Sequence, residues 1–229
     1  MNAGHTKSVV WQDTTIKCRR QAFLDGLTTG LQQPSGKGER LIVLHAGNEE
    51  GFVKGAELVF RAKKGTGDYH EEMDGPRFEK WFTEQLLTNI KLNSVIVIDN
   101  APYHTVKLEK IPTTKTRKAD IQAWLTSKGV PWLPNMIIKE LLELVNGVKH
   151  LYEQFRVDTV AKLHGHTILR LPPYHCELNP IEMIWSQVKG YVAPENRSFK
   201  MAEVEKLTAC SLQRITAKQW ADCVRHVRK

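Results

Sequence analysis

The stretch "SVIVIDNAPYH", residues 94–104, constrains the fold of this chain more than any other. Its four consecutive β-branched residues, Val95 to Ile98, lose side-chain freedom in a helix and pack well on a pleated sheet. No polar residue alternates with them, so the run reads as a strand buried on both faces, the pattern of a central parallel strand. Parallel strands need crossovers, which cover the sheet with helices. The run stops on Asp99, and Asn100 and Pro102 follow in a stiff turn. Ligands in α/β sheets collect beyond the carboxyl ends of parallel strands, so Asp99 stands where a site is expected. The plainer alternative is a turn-opening Asp that accepts backbone N–H bonds.

Around this strand the apolar period switches between two and about 3.6. "SVVWQ" (8–12) and "RLIVLHAG" (40–47) read as strands. "AELVFRAKKG" (56–65) reads as the antiparallel partner of the second, joined to it through "NEEGFVKG". The stretch from 17 to 40, with Gly26, Gly30, Pro34, Gly36 and Gly38, reads as irregular loop. Phe78, Trp81, Phe82 and Leu86 recur at helical spacing behind Pro76, which suits a first turn. A helix over 119–127 turns Ile121, Trp124 and Leu125 inward, and helical stripes follow over 137–163, with a break and with Gly147 inside. "HTILRLPP" (166–173) is a short strand, and "NPIEMIWSQVKGYV" a helix buried through Ile181, Ile184, Trp185 and Val188. Two helices near 199–212 and 217–227 end the chain, the last opened by Thr216 and Gln219 at capping-box spacing. Strands first, then strands interleaved with helices, predict a mixed α/β layer protein.

A second carboxylate stands out in "LPPYHCELNPIEMIW", residues 171–185. Asn179 suits an N-cap and Pro180 the first helical position, so Glu182 falls at the third. A Glu there commonly returns a hydrogen bond to the cap. The same position lies at the open end of the helix, within reach of a cation held by a neighbouring strand end. Cleavage or transfer at a phosphodiester uses two divalent cations ~4 Å apart, one generating the attacking oxygen and one holding the leaving oxygen. Mg²⁺ takes few protein ligands, mainly carboxylates.

Charge and cysteine usage narrow the partners. Lys and Arg number 33 against 25 Asp and Glu, a net charge of +8, which favours nucleic acid or anionic surfaces without speaking to fold. Cys18, Cys176, Cys210 and Cys223 form no C-x-x-C pair, so neither a disulfide framework nor a zinc knuckle is expected, and the thiols read as reduced and intracellular. No apolar run approaches the ~20 residues that span a bilayer. The opening "MNAGHTKSVVWQD" shows neither a basic leader nor a hydrophobic block. Asn196, Arg197 and Ser198 match a glycosylation acceptor, which reads as chance in such a chain.

Taken together, "VIVIDNAPYH" and "LPPYHCELNPIEMIWSQVKGYV" resemble the catalytic domain of Tc1/mariner-like transposases, DDE-type enzymes with an RNase H-like fold. "NAGHTKSVVWQD", "LIVLHAGNEEGFVKGAELVF", "DYHEEMDG" and "KADIQAWL" resemble a group of DDE endonuclease-domain proteins, and the likeness runs from about residue 2 to 193. It implies an RNase H-like α/β core over 1–193, a mixed sheet flanked by helices, and then a basic helical tail over 194–229. It also implies that Asp99 and Glu182 are the second and third acidic ligands, catalytic and metal-binding, of two Mg²⁺ or Mn²⁺ ions. The helical material at about 137–163 is expected to be an insertion before the last strand. Double-stranded DNA is the implied partner, a homodimer the implied assembly and the nucleus the implied compartment, with no membrane partner. The implied reaction hydrolyses DNA at element ends and joins the freed 3′-hydroxyl to target DNA, with no covalent protein intermediate.

The resemblance sets the first acidic ligand on an opening strand, in a segment like "DET" just ahead of the "NAGHT" stretch. Met1 stands immediately before Asn2. The expectation is therefore a truncated core that lacks its first central strand and first Asp, and whose activity alone is not expected. Asp13 follows "VVWQ" on the next strand and does not replace it; Asp25, Asp68, Asp74 and Asp120 have no better claim. The family's helix-turn-helix region is expected to be absent too, leaving DNA contact to the core and the tail. Lys189, Arg225, Arg228 and Lys229 are the phosphate-contact candidates, although cations also suit a helix C-terminus. Asn100, His104, His175 and Asn179 are the supporting residues: either histidine to hold a ligand or touch a phosphate, Asn100 to brace its turn, Asn179 to cap its helix. Trp81, Trp124 and Trp185 read as core rather than base-stacking platforms. The alternative reading is an inactive or domesticated core serving as a DNA- or protein-binding module.

Overall fold

The structure, a computed structural model, describes residues 1, 39–62 and 73–228. The strand expected at 8–12, the irregular stretch after it, and Asp13, Asp25, Asp68 and Lys229 lie outside the described residues. In chain order the strands are β1 (Leu41–Leu44), β2 (Gly47–Asn48), β3 (Gly51–Phe52), β4 (Leu58–Arg61), β5 (Val95–Ile98) and β6 (Thr167–Arg170). The helices are α1 (Gly75–Trp81), α2 (Lys118–Ser127), α3 (Ile138–Val148), α4 (Arg156–Leu163), α5 (Pro180–Glu195), α6 (Met201–Arg214) and α7 (Ala217–Val227). No helix among the described residues is long and apolar enough to cross a membrane.

Alternation along β1 organises the body. Ile42 and Leu44 point into a cluster built on Phe78, Trp81, Phe82 and Leu86 of the α1 region and Val157 and Ala161 of α4. Leu41 and Val43 point the other way, to Val192, Met201 and Val204 of α5 and α6, so helices cover both faces of the pair that β1 makes with β4. That pair is antiparallel, as the glycine-containing connection predicts, with Ile42 opposite Phe60 and Leu44 opposite Leu58. The stripe predicted on α1 is buried throughout. The helix starts on Asp74, whose side chain accepts from Arg77 N–H at 2.9 Å, and widens into a π turn over Phe82–Leu86. Trp81 donates its indole N–H to Ala56 O at 3.0 Å, fastening the helix to the edge of β4.

β5 pairs with β6 in parallel, Val97 opposite Leu169 and Ile98 opposite Arg170. One expectation is corrected here. The strand is not buried on both faces: Ile98 is 8% exposed, but Val95 is 61% and Val97 40% exposed. Leu169, 52% exposed, extends the same open face, because α1 and α4 pack only on the side of Ile96, Ile98 and Ile168. The described strands form three pairs, β1–β4, β2–β3 and β5–β6, antiparallel and parallel pairs flanked by helices in a mixed α/β architecture.

Backbone pairing marks off a lobe that holds part of the helical material. Lys107 and Phe155 form an antiparallel bridge. Leu108 N–H donates to Gln154 O at 2.8 Å and Arg156 N–H to Val106 O at 2.9 Å. These bonds close a stem at the entry and exit of residues 107–155. The lobe beyond it has its own core of Ile111, Ile121, Leu125, Leu141 and Val145, ringed by Trp124, Trp132 and Tyr152. α4, expected within the insertion, belongs to the body because Val157 and Ala161 pack under β5. The segment after 193 is likewise packed in: Leu212, Trp220 and Cys223 share a core with Ile184 and Val188 of α5. The predicted Thr216–Gln219 capping box opens α7, and Asn196, of the glycosylation-like triplet, is 1% exposed.

Candidate active site

Asp99 leaves β5 into a short 3-10 turn, Pro102–His104, that folds back on it. Its Oδ1 accepts Ala101 N–H at 3.0 Å and His104 Nδ1–H at 2.6 Å. A carboxylate only accepts, so Nδ1 of His104 carries the hydrogen. His104 is wedged against the Phe78 ring, centroids 4.3 Å apart, and the Tyr103 ring at 4.5 Å. Its side chain is 10% exposed against 43% for Asp99. The bond from His104 holds the Asp99 carboxyl below the usual carboxylate range, against partial burial, which pushes it up; the Ala101 amide adds to the lowering. The result is an anion with one oxygen fixed by two donors. Its Oδ2 accepts no hydrogen bond among the described residues.

The exits of β5 and β6 are stitched together. Leu171 N–H donates to Ile98 O at 2.9 Å and Asn100 Nδ2 to Leu171 O at 2.5 Å, so Asn100 braces the neighbouring strand rather than only its own turn. Arg170, at the end of β6, donates from Nη2 to His104 O at 2.9 Å and forms an ion pair with Asp158 of α4. Its guanidinium lies 4.1 Å over the Phe155 ring. Sequence reasoning passed over Arg170; the available signal was a lone Arg closing the apolar strand "TILR".

Beyond Leu171 the chain turns through Tyr174, fully exposed and at a left-handed φ of 66°, to Asn179. The Asn179 side chain accepts from Ile181 N–H at 3.4 Å and starts α5. Glu182 is exposed in the first turn, bonded to the cap only through its backbone N–H, 3.1 Å from Asn179 O. The returned capping bond is not formed, and the Glu182 carboxylate has no protein partner among the described residues. His175 stands apart: it pairs at 2.7 Å with Glu177, whose carboxyl it holds low, and not with Asp99 or Glu182.

Among the described residues no group of three or more His, Cys, Asp or Glu gathers to hold a metal. Asp74 is spent on capping α1, and Asp120 sits exposed in the first turn of α2. Two phosphate-contact candidates are already paired: Arg225 with Asp222 at 3.3 Å and Arg228 with Glu49 at 2.5 Å. Lys189 is exposed on α5.

The sequence matches the family described as DDE superfamily endonuclease over residues 14–207, a span holding Asp99, Glu182 and all four supporting residues. A domain of this family implies an RNase H-like fold, with which the α/β architecture agrees, and generally uses divalent metals. Asp99 and Glu182 suit such an ion as hard oxygen donors, each with a carboxylate oxygen that no described protein group claims.

Proposed function

The chain belongs to the DDE superfamily endonuclease family, and from that membership we propose that it is the catalytic core of a Tc1/mariner-like transposase. The reaction that such a core serves is cleavage of double-stranded DNA and transfer of the freed 3′-hydroxyl to a target, in the nucleus and as a homodimer. The observation that carries this reading is Asp99 at the carboxyl end of a parallel strand, held ionised by His104 with one oxygen open.

A bound divalent metal would supply Lewis-acid stabilisation of phosphodiester charge and an activated attacking oxygen. Asp99 and Glu182 are the residues that would hold it. His104 and the Ala101 amide orient Asp99 and keep its charge, and the Phe78 and Tyr103 rings keep His104 from turning away. Glu182 lies in the first turn of α5, at the positive end of the helix dipole.

The test is Mn²⁺ binding followed by electron paramagnetic resonance, beside plasmid nicking in Mg²⁺. Asp99→Asn and Glu182→Gln should each weaken Mn²⁺ binding about tenfold or more and abolish nicking. Mn²⁺ binding unchanged in both variants, with no metal-dependent nicking by the parent chain, would overturn the proposal and leave a DNA- or protein-binding module.

A further inference from the structure

We propose that the lobe formed by residues 107–155 grips duplex DNA through its basic face, Lys110, Lys115 and Arg117; the inference rests on the family reading that DNA is the substrate. The lobe is a unit of its own, with a private apolar core on a backbone-paired stem. Its charges divide into two sets. Lys107 pairs with Glu153 at 3.2 Å, and Lys128 with Glu109 at 2.6 Å while lying 4.4 Å over the Tyr152 ring. Lys118 donates to Pro134 O at 3.3 Å. These cations hold the lobe together. The side chains of Lys110, Lys115 and Arg117, like those of Lys139 and Lys149, are exposed and enter no ion pair or hydrogen bond among the described residues, and the first three fall within eight residues of one another.

The stretch "KIPTTKTRK", 110–118, holds four cations and no carboxylate. It turns tightly, Thr116 Oγ1 accepting from Thr113 N–H at 2.9 Å, and runs into α2, whose N-cap Arg117 offers no side-chain acceptor. The Lys118 and Ala119 N–H groups that open this ten-residue helix therefore have no side-chain cap and lie in sequence beside the cations, a combination that suits a phosphate. A second feature lies beside it. A cavity of about 200 Å³ is lined by Lys110, Pro112, Thr116, Asp120 and Trp124. Asp120 is the one carboxylate on this lining and offsets one of the four charges. Flexible cations around threonine hydroxyls and free amides match the phosphate backbone rather than base edges, so the contact is independent of sequence. The stem begins two residues after His104, so DNA held on the lobe is held next to the turn that carries Asp99.

The experiment titrates a fluorescein-labelled 30-base-pair duplex of arbitrary sequence with the full chain at several salt concentrations. Each phosphate contact contributes about 0.9 to the slope of log K against log salt. The variant Lys110→Gln/Lys115→Gln/Arg117→Gln should therefore flatten the slope by about 2.7 and weaken binding tenfold or more near 0.1 M salt. The control Lys54→Gln/Lys206→Gln/Lys218→Gln, which removes three exposed cations of the body, should change the slope by less than 1. Should the triple variant lose its melting transition, Lys115→Gln alone should still flatten the slope by about 0.9. Equal losses in variant and control, an unchanged slope in the variant, or better competition by duplex RNA than by duplex DNA would overturn the proposal. None of these outcomes alters Mn²⁺ binding at Asp99, so the two readings fail separately.

Discussion

Replacing His104 by Phe isolates the interaction on which the candidate site turns. The ring volume and the contacts with Phe78 and Tyr103 survive. So does the His104 carbonyl that takes Arg170; the Nδ1–H bond to Asp99 at 2.6 Å does not. A hydrogen bond to a charged group contributes about 1.5–3 kcal/mol. The Asp99 side chain is 43% exposed, so water recovers part of that, and a loss of about 1–1.5 kcal/mol is expected at pH 7. The sign with pH follows from the depressed carboxyl. An Asp whose folded pKa lies below its unfolded value of about 3.9 stabilises the fold above that value and loses the contribution as pH falls through the folded pKa. Parent and variant melts in urea should therefore differ at pH 7 and draw together as the pH falls below the unfolded value of about 3.9 and through the folded one. Carbon-detected NMR of the Asp99 carboxyl should show its titration moving up in His104→Phe. It should stay low in His104→Asn, whose amide can sit where Nδ1 does. An Asp99 titration unmoved by His104→Phe, with coincident melts at pH 7, would refute the reasoning.

Two further outcomes are expected. Arg170→Met removes the Asp158 pair, the bond to His104 O and the Phe155 contact from a side chain only 17% exposed; the loss should be about 2–3 kcal/mol in thermal or urea melts, and less than 1 kcal/mol would count against its bracing role. Gly47→Ala puts a Cβ within 2.3 Å of Trp220 Cζ2, so β2 must move off α7 at a cost of about 1–3 kcal/mol; an unshifted Trp emission spectrum together with an unshifted melt would refute that packing.

What the sequence made legible was local and periodic. The inward faces of α1 and α2 follow from spacing alone, and the Thr216–Gln219 box from two residue types three apart. The β-branched run of β5 announced a parallel strand ending on Asp99. It could not announce that Val95 and Val97 stay exposed, because apolar residues on both faces describe a strand's chemistry and not what lies over it. The bounds of the lobe were illegible for a related reason. Its stem is made of backbone bonds between Val106–Leu108 and Gln154–Arg156, which leave no side-chain signature. Charge was legible as a total but not as partners. Arg225 and Arg228 stand near a helix end yet are matched by Asp222 and Glu49, while the side chains of Lys110, Lys115 and Arg117, which no motif marks, have no partner among the described residues.

Arg170 links the two halves of this functional picture. It ends the strand beside β5, pairs with Asp158 on α4, holds the carbonyl of His104 and supports the Phe155 ring at the lobe's exit. Two segments far apart in sequence, the turn at His104 that fixes Asp99 and the stretch Phe155–Asp158 that leaves the stem, thus meet on one guanidinium. A planar group with five donors can serve such a junction where a lysine cannot. Close-packed elements move as units rather than deforming continuously. A lobe loaded with DNA therefore cannot swing on its stem without pulling on the His104 carbonyl or breaking the Phe155 contact. On the proposed grip, Arg170→Met should loosen both the lobe's hold on the phosphate backbone and the placement of the Asp99 carboxylate while leaving every cation of the lobe in place.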